Sequence, residues 1–153
     1  MDALAHVARP PRRVKASDLD ELVRMRRALW SDSTRAEAEE ALQKHLRGDL
    51  FILVAERDGY AGLAAFAEAG IRTHAEGCAA SPVAYLEGIW VDEDARRVGI
   101  AQALVEEVVA WAHRRGLREL ASDSEVGNHG ARSFHEALGF EDAGTIVAWR
   151  RTL

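Results

Sequence analysis

Apolar positions fall into two rhythms along this chain, and each change of rhythm marks an element. Leu19, Leu22, Val23, Leu29 and Trp30 recur at helical spacing, which predicts a helix from about Asp18 to Trp30. Ser17-Asp18-Leu19-Asp20 has the form of a capping box with Ser17 at the cap, and Val14-Lys15-Ala16 before it reads as a short strand. After a break at Ser31 to Thr34, a second helix carries Ala38, Ala41, Leu42, His45 and Leu46 on one face and ends near Gly48. Leu50 to Ala55 is a continuous apolar run suited to a buried strand. Asp58-Gly59 is a hairpin signal, and Tyr60 to Ala69 is the return strand, with Gly62 where another segment packs close. A polar loop, Ile71 to Ser81, leads to a strong strand at Val83 to Val91. Ala101, Leu104, Val105, Val108 and Ala112 give the next helix, Gly99 to Arg115, its buried face, and Gly116 stops it. Leu117 to Ser122 is a strand, Asn128 to Leu138 a short helix stopped by Gly139, and Thr145 to Arg150 the last strand.

The order β-α-α-β-β-β-α-β-α-β predicts an α/β fold, an open mixed sheet with helices on both faces. Val83 to Val91 and Leu117 to Ser122 are its middle strands, joined through the long helix by a right-handed crossover. The 153 residues fit one domain, expected over 14–153. Pro10-Pro11 breaks any regular element in Met1 to Arg13, which reads as a poorly ordered leader.

Composition narrows the classes of function. Hydrophobic residues make up 48% and charged residues 29%, as in ordinary soluble domains. No apolar run reaches the roughly 20 residues of a membrane span. The formal charge of −5 argues against nucleic acid and suits a cationic ligand, although a solvated acidic surface accounts for it equally. Cys78 is the single cysteine, which excludes an intrachain disulfide and fits a cytoplasmic setting. His6, His45, His74, His113 and His129 show no metal-ligand spacing, so no metal is expected.

The most informative stretch is Trp90-Val91-Asp92-Glu93-Asp94-Ala95-Arg96-Arg97-Val98-Gly99-Ile100-Ala101. A strand runs into a turn that opens a helix at Arg-x-x-Gly-x-Ala. Such a turn aims backbone N–H groups at one point, and the helix dipole adds partial positive charge. Gly99 lets the main chain approach an anion, small Ala101 avoids crowding it, and Arg96 and Arg97 can screen what charge is left. A pyrophosphate suits this chemistry. Taken alone, the pattern fits an ordinary strand-to-helix turn with solvated arginines at least as well.

The segment resembles the pyrophosphate loop of the GNAT acetyltransferases, whose pattern is Gln/Arg-x-x-Gly-x-Gly/Ala. Arg96, Gly99 and Ala101 match it position by position. Asn128-x-x-Ala131-x-x-Phe134-His135-x-x-Leu138-Gly139-Phe140 resembles the family's Asn-x-x-Ala…Gly-Phe helix, and the likeness extends from Val14 to Arg151. Within the family, Ser81 to Ile89, Leu120-Ala121-Ser122-Asp123, Phe134 to Phe140 and Leu29-Trp30 are similar to the aminoglycoside 6′-N-acetyltransferases. The resemblance implies a mostly antiparallel sheet that splays between strands 4 and 5, with acetyl-CoA as co-substrate. Its pantetheine arm would pair with backbone at Ile89, Trp90 and Val91, and its pyrophosphate would meet Arg96, Arg97, Val98, Gly99, Ile100 and Ala101. The acetyl group would pass directly to an amine.

Glu87 is the candidate base. Strand alternation puts Val83, Tyr85, Glu87, Ile89 and Val91 on one face. A glutamate there fits a proton acceptor or the partner of a nearby arginine equally, and the resemblance selects the former. Asp123 ends the next strand and either binds a substrate ammonium or shares the base role, or is a cap or turn residue. His135 stands where the family often has a Tyr that protonates the leaving thiolate; it is such an acid or a packed histidine. Asn128 either bonds pantetheine or caps its helix. Trp30 and Tyr85 are candidates for lining the acceptor pocket, with a core position the alternative for Trp30. Trp90, on the face away from Glu87, is expected in the core, and Trp111 and Trp149 in packing or a subunit contact.

These readings add up to an acetyl-CoA-dependent aminoglycoside 6′-N-acetyltransferase. A polyamine, another small amine or a peptide N-terminus is the alternative acceptor, and a catalytically idle acyl-CoA-binding regulator the alternative class. The resemblance also implies a homodimer paired through C-terminal parts, where Ile146, Val147 and Trp149 lie on a possible sheet edge.

Overall fold

Strand pairing organises the chain around one five-stranded sheet in the order β1-β2-β3-β4-β5. The structure is a computed structural model and describes residues 7–153. The strands are β1 (Arg12–Arg13), β2 (Phe51–Glu56), β3 (Leu63–Arg72), β4 (Val83–Val91) and β5 (Leu120–Ala121). The helices are α1 (Leu19–Leu29), α2 (Arg35–Arg47), α3 (Ile100–Arg114) and α4 (His129–Ala137). β1 to β4 are antiparallel in sequence, and β5 joins β4 in parallel through only Ala84↔Leu120 and Tyr85↔Ala121. The sheet is mixed and mostly antiparallel, as expected.

The two faces are covered by different helices. Leu22 and Met25 of α1 and Ala41 and Leu42 of α2 pack with Ile52, Val54 and Phe66 on one side. Ile100, Leu104, Val105, Val108 and Trp111 of α3 pack with Leu53, Ala65, Ala67 and Leu86 on the other. Burying a Leu- or Phe-sized side chain stabilises a fold by about 1.5–3 kcal/mol, so these two layers fix the sheet between them. Trp111 stacks on Phe51 with ring centroids 5.0 Å apart, in the packing role expected of it.

Boundaries differ from the sequence reading where tertiary contacts override local pattern. The first strand lies two residues earlier than Val14-Lys15-Ala16, inside the expected leader. Ala8 is buried and bridges to Arg57, and Arg12 and Arg13 pair with Val54 and Leu53. Residues 7–13 are therefore built into the sheet edge, while the rest of the leader, with His6, lies outside the described residues. Ser17 does not cap α1; it sits in a 3-10 turn where the Asp18 carboxylate accepts from Lys15 N–H at 2.7 Å and from Arg12. Thr34 does cap α2, reciprocally with Glu37, and left-handed Gly48 closes it. β3 starts three residues later than Tyr60, because Glu21 reaches across to accept the Leu63 N–H at 2.9 Å and lies against Gly62. The last strand is absent. Residues 141–153 carry no helix or strand, and Ile146, Val147 and Trp149 are exposed, because two-residue β5 offers this segment no ladder within one chain.

Candidate active site

The site is built on an irregularity in β4. Glu68 of β3 pairs with Gly88 and Ala69 with Leu86, so Glu87 is an extra residue with no partner across the ladder. Such a bulge bends a strand and re-aims its side chains. Ala84 and Leu86 face the α3 core, and so do Ile89 and Val91; parity reverses across Glu87. The expected common face of Val83, Tyr85, Glu87, Ile89 and Val91 is thus broken in the middle. Tyr85 packs with Ala75 and Val83, Glu87 meets Arg72, and Gly88 and Trp90 lie against the layer of α1. Trp90 packs with the Phe66 cluster, in the core as expected, but on the same side as Glu87 rather than the opposite one.

The bulge collects the candidate acceptor residues. Arg72, at the end of β3, donates to Glu87 from Nε at 3.0 Å and from Nη2 at 2.6 Å. Its guanidinium lies 3.4 Å over the Tyr85 ring. The Tyr85 hydroxyl donates to Asp123, so Glu87, Tyr85 and Asp123 form one connected group with Arg72 at its centre. Burial, with the Asp123 bond, pushes the Tyr85 phenol up to about 12. Trp30 closes the group from α1. A Cβ on Gly88 would fall 2.5 Å from Trp30 Cη2 and 2.8 Å from Leu29 Cδ2, so only glycine admits the indole there. Behind Trp30, Arg26 stacks on the indole at 4.8 Å and pairs with buried Glu68, whose carboxyl is raised by desolvation despite that partner.

On the far side of the sheet opening, His135 is fully engaged. Nε2 meets Ser122 Oγ at 2.9 Å and Nδ1 meets the Ala131 carbonyl at 2.7 Å, with Phe140 edge-on at 5.3 Å. Ser122 also donates to the Leu86 carbonyl at 3.2 Å, directly after the last β4–β5 pair. The strands part beyond this bridge, leaving the outer edge of β4 from Glu87 to Val91 without a strand partner among the described residues. Asn128 takes its capping role: Oδ1 accepts the Ala131 N–H at 2.9 Å.

The turn after β4 is held from below. Asp92 accepts from Trp90 Nε1 (2.9 Å), Arg24 (2.9 Å) and Arg57 (2.8 Å). Burial works to raise its carboxyl, but these bonds outweigh it and leave Asp92 below the ordinary range. Arg96 donates to the Val91 carbonyl at 2.9 Å and stacks over Trp90, bracing the strand end. Arg97 (φ 65) and Gly99 (φ 90) are both left-handed, and no atom stands within 4 Å of a Cβ built on Gly99. Among the described residues, the N–H groups of Arg97, Val98, Gly99, Ile100 and Ala101 have no protein acceptor. Left-handed residues running into a helix start form a concave nest of donors suited to an anion.

A strand edge open to pairing and a donor nest sit at successive points of one chain path. The sequence model of the Acetyltransferase (GNAT) family matches residues 18–140. The chain belongs to this family. The acetyltransferase is 36% identical over 137 residues to the aminoglycoside N(6')-acetyltransferase type 1 of Serratia marcescens, covering 89% of this chain and 94% of the relative. It is 36% identical to the enzyme of the same name from Salmonella typhimurium, covering 92% and 97%. Its fold is similar to that of the 6'-N-acetyltransferase AAC(6')-Ih from Acinetobacter baumannii (TM-score 0.87, 33% identity, 94% and 97% covered). It is also similar to AAC(6')-Iy, solved with CoA (TM-score 0.85, 32% identity, 95% and 97% covered) and with a bisubstrate analogue, CoA-S-monomethyl-acetylneamine (TM-score 0.83, 33% identity, 94% and 97% covered). The residues present fit an acyl-CoA: a nest of N–H donors suits a pyrophosphate, and an open strand edge suits an amide-bearing arm.

Five of these residues carry no role in the sequence pattern. Arg72 falls in the expected loop from Ile71 to Ser81, and Ser122 stands only as part of a strand-end motif. The Arg26–Glu68 pair spans 42 positions, and Asp92 gathers Arg24 from 68 positions away and Arg57 from 35, so local pattern does not show them.

Proposed function

We propose that the chain is an acetyl-CoA-dependent aminoglycoside 6'-N-acetyltransferase. The observation that carries this is the convergence of Glu87 and Asp123 on the open side of the parted strands, linked through Tyr85 and Arg72. Two carboxylates beside an aromatic face suit a sugar bearing several ammonium groups. Acetyl-CoA, when bound, supplies the acetyl group as an activated thioester. The protein's part is to hold the acceptor and take its proton. An aliphatic amine is protonated at pH 7 and must lose that proton to attack. Glu87 accepts it, directly or through a water, while Asp123 holds a second ammonium and Trp30 and Tyr85 flank the ring. Backbone N–H groups at Ile89 and Val91, which alternate away from β3 while that of Trp90 turns toward it, orient the arm of the co-substrate and polarise the acetyl carbonyl. His135, held between Ser122 and the Ala131 carbonyl at the apex of the opening, can donate a proton toward that side only in its doubly protonated form.

Purified protein with acetyl-CoA should release free CoA when given kanamycin or tobramycin, and not with an analogue carrying a 6'-hydroxyl. Release only with a polyamine or a peptide would replace the acceptor; no release with any amine, alongside tight CoA binding, would point to an idle regulator.

The partner reading is a homodimer in the cytoplasm, protecting the cell from the drug. Exposed Ile146, Val147 and Trp149 on a segment with no strand partner among the described residues support it, since apolar extended segments tend to be covered. Light scattering giving a monomer mass at micromolar protein would refute the dimer.

A further inference from the structure

We propose that Arg72 is the internal occupant of the acceptor's cation site, a guanidinium that the incoming substrate ammonium displaces from Glu87. This rests on the acceptor reading above and adds what the enzyme does with the site before substrate arrives. Three observations meet here. Arg72 engages both Glu87 oxygens side-on in a bidentate, charge-assisted pair. Its planar face covers Tyr85, the surface on which a sugar would stack. Its side chain is 45% exposed at a strand end, so it has solvent to move into without disturbing the core.

Charge counting sets the consequence. Glu68, Glu87 and Asp123 face Arg26 and Arg72, and the half-buried Arg26 is committed to Glu68. Asp123 is hydrogen-bonded by a neutral phenol and forms no ion pair among the described residues, so it is the carboxylate of the group least matched by a cation. A substrate with one ammonium exchanges with Arg72 at Glu87 and gains little, because one charge-assisted pair replaces another. A substrate with a second ammonium also meets Asp123, where it has no ion pair to break among the described residues. Arg72 therefore selects polycations over monoamines, and it keeps Glu87 from acting as a base until a genuine acceptor has displaced it.

The test is calorimetric titration of the CoA-loaded protein with kanamycin for wild type, Arg72→Gln and Arg72→Lys, with melting curves to verify folding. If wild type acetylates spermidine and no aminoglycoside, spermidine is the titrant; the acceptor reading then falls while the displacement is still measured. Arg72→Gln should tighten binding by roughly three- to tenfold, the range expected for freeing a half-exposed charged pair. It should also give the monoamine glucosamine a measurable affinity. Arg72→Lys, which keeps the charge but loses the fork and the planar face, should fall between the two. Unchanged or weaker binding in Arg72→Gln would overturn the proposal and make Arg72 a brace for Glu87. Tight binding in Arg72→Gln with wild-type behaviour in Arg72→Lys would also overturn it, since net charge alone would then be the cause.

Discussion

Gly88→Ala adds one methyl group to the chain at the point where α1 meets the bulge. The backbone there is not left-handed, so the cost is steric. The new Cβ would stand 2.5 Å from Trp30 Cη2 and 2.8 Å from Leu29 Cδ2. To regain ordinary contact the indole has to retreat by about 1 Å. Overpacking of this kind costs about 1–3 kcal/mol. For a chain of this length each kcal/mol lowers Tm by about 2–4 °C, so a drop of roughly 2–12 °C is expected by calorimetry. Trp30 flanks the acceptor group, and a misplacement of about 1 Å in such a site can cost 10²-fold. The acceptor kcat/KM should therefore fall by roughly 10- to 100-fold, and the Kd for acetyl-CoA should change by much less, since its proposed contacts lie beyond Gly88, from Ile89 to Ala101. Trp30→Phe removes the clashing part of the indole, so the double variant should be more stable than the sum of the single changes allows. If Gly88→Ala keeps the wild-type Tm and acceptor KM, the Trp30–Gly88 contact does not exist as described.

Three further variants probe the rest of the site. Gly99→Asp should weaken acetyl-CoA binding strongly by calorimetry, because it sets a like charge at the donor nest; Asp tolerates the left-handed backbone better than most residues, so Tm should change little. Unchanged affinity in the folded variant would take the nest out of the cofactor site. Glu87→Gln should lower kcat by about 10²–10⁴-fold with acetyl-CoA affinity nearly intact, and wild-type rates between pH 6 and 9 would move the base elsewhere, with Asp123 next. Asp92→Asn should cost about 1.5–3 kcal/mol at pH 7, since it removes a charge that serves Arg24, Arg57 and Trp90. Asp92 is held below its ordinary value, so its contribution is present above the unfolded pKa near 4 and is lost as pH falls through the lower folded value. Urea melts should therefore show the gap between wild type and variant narrowing below about pH 4; a gap that widens there would refute the assignment.

Much of the fold could be read from local pattern because local pattern decided it. The apolar stripe Leu104, Val105, Val108 and Ala112 gave α3, which begins and ends within one residue of the expected bounds. Thr34 and Gly48 bound α2 through their own backbone bonds. What was hidden depends on partners distant in sequence. Arg12 and Arg13 look like a solvated leader until β2 offers them an edge. Asp58-Gly59 signals a turn, but the length of that turn is set by Glu21 from α1. Glu87 was legible as an unusual glutamate in an apolar strand, whereas its partner was not, since Arg72 reaches it only once the β3–β4 register is known. The segment from Thr145 to Arg150 has the composition of a strand, and composition carries no information about whether an edge is free to receive it.

The odd residue in β4 has a further consequence for how this chain avoids misfolding. A regular two-stranded ladder can slide by two residues and still keep its inner side chains inside, so period alone distinguishes poorly among even shifts. β4 is written in two phases, Ala84 and Leu86 before Glu87 and Ile89 and Val91 after it, and both halves must reach the same layer under α3. Only one alignment with β3 puts the phase change opposite the Glu68–Ala69 step. A slip by two residues would leave a stretch of strand between the old and new bulge positions facing the wrong layer. The irregularity that exposes Glu87 thus also acts as a vernier for the hairpin, and removing it by deleting one residue would be expected to loosen strand alignment as well as chemistry.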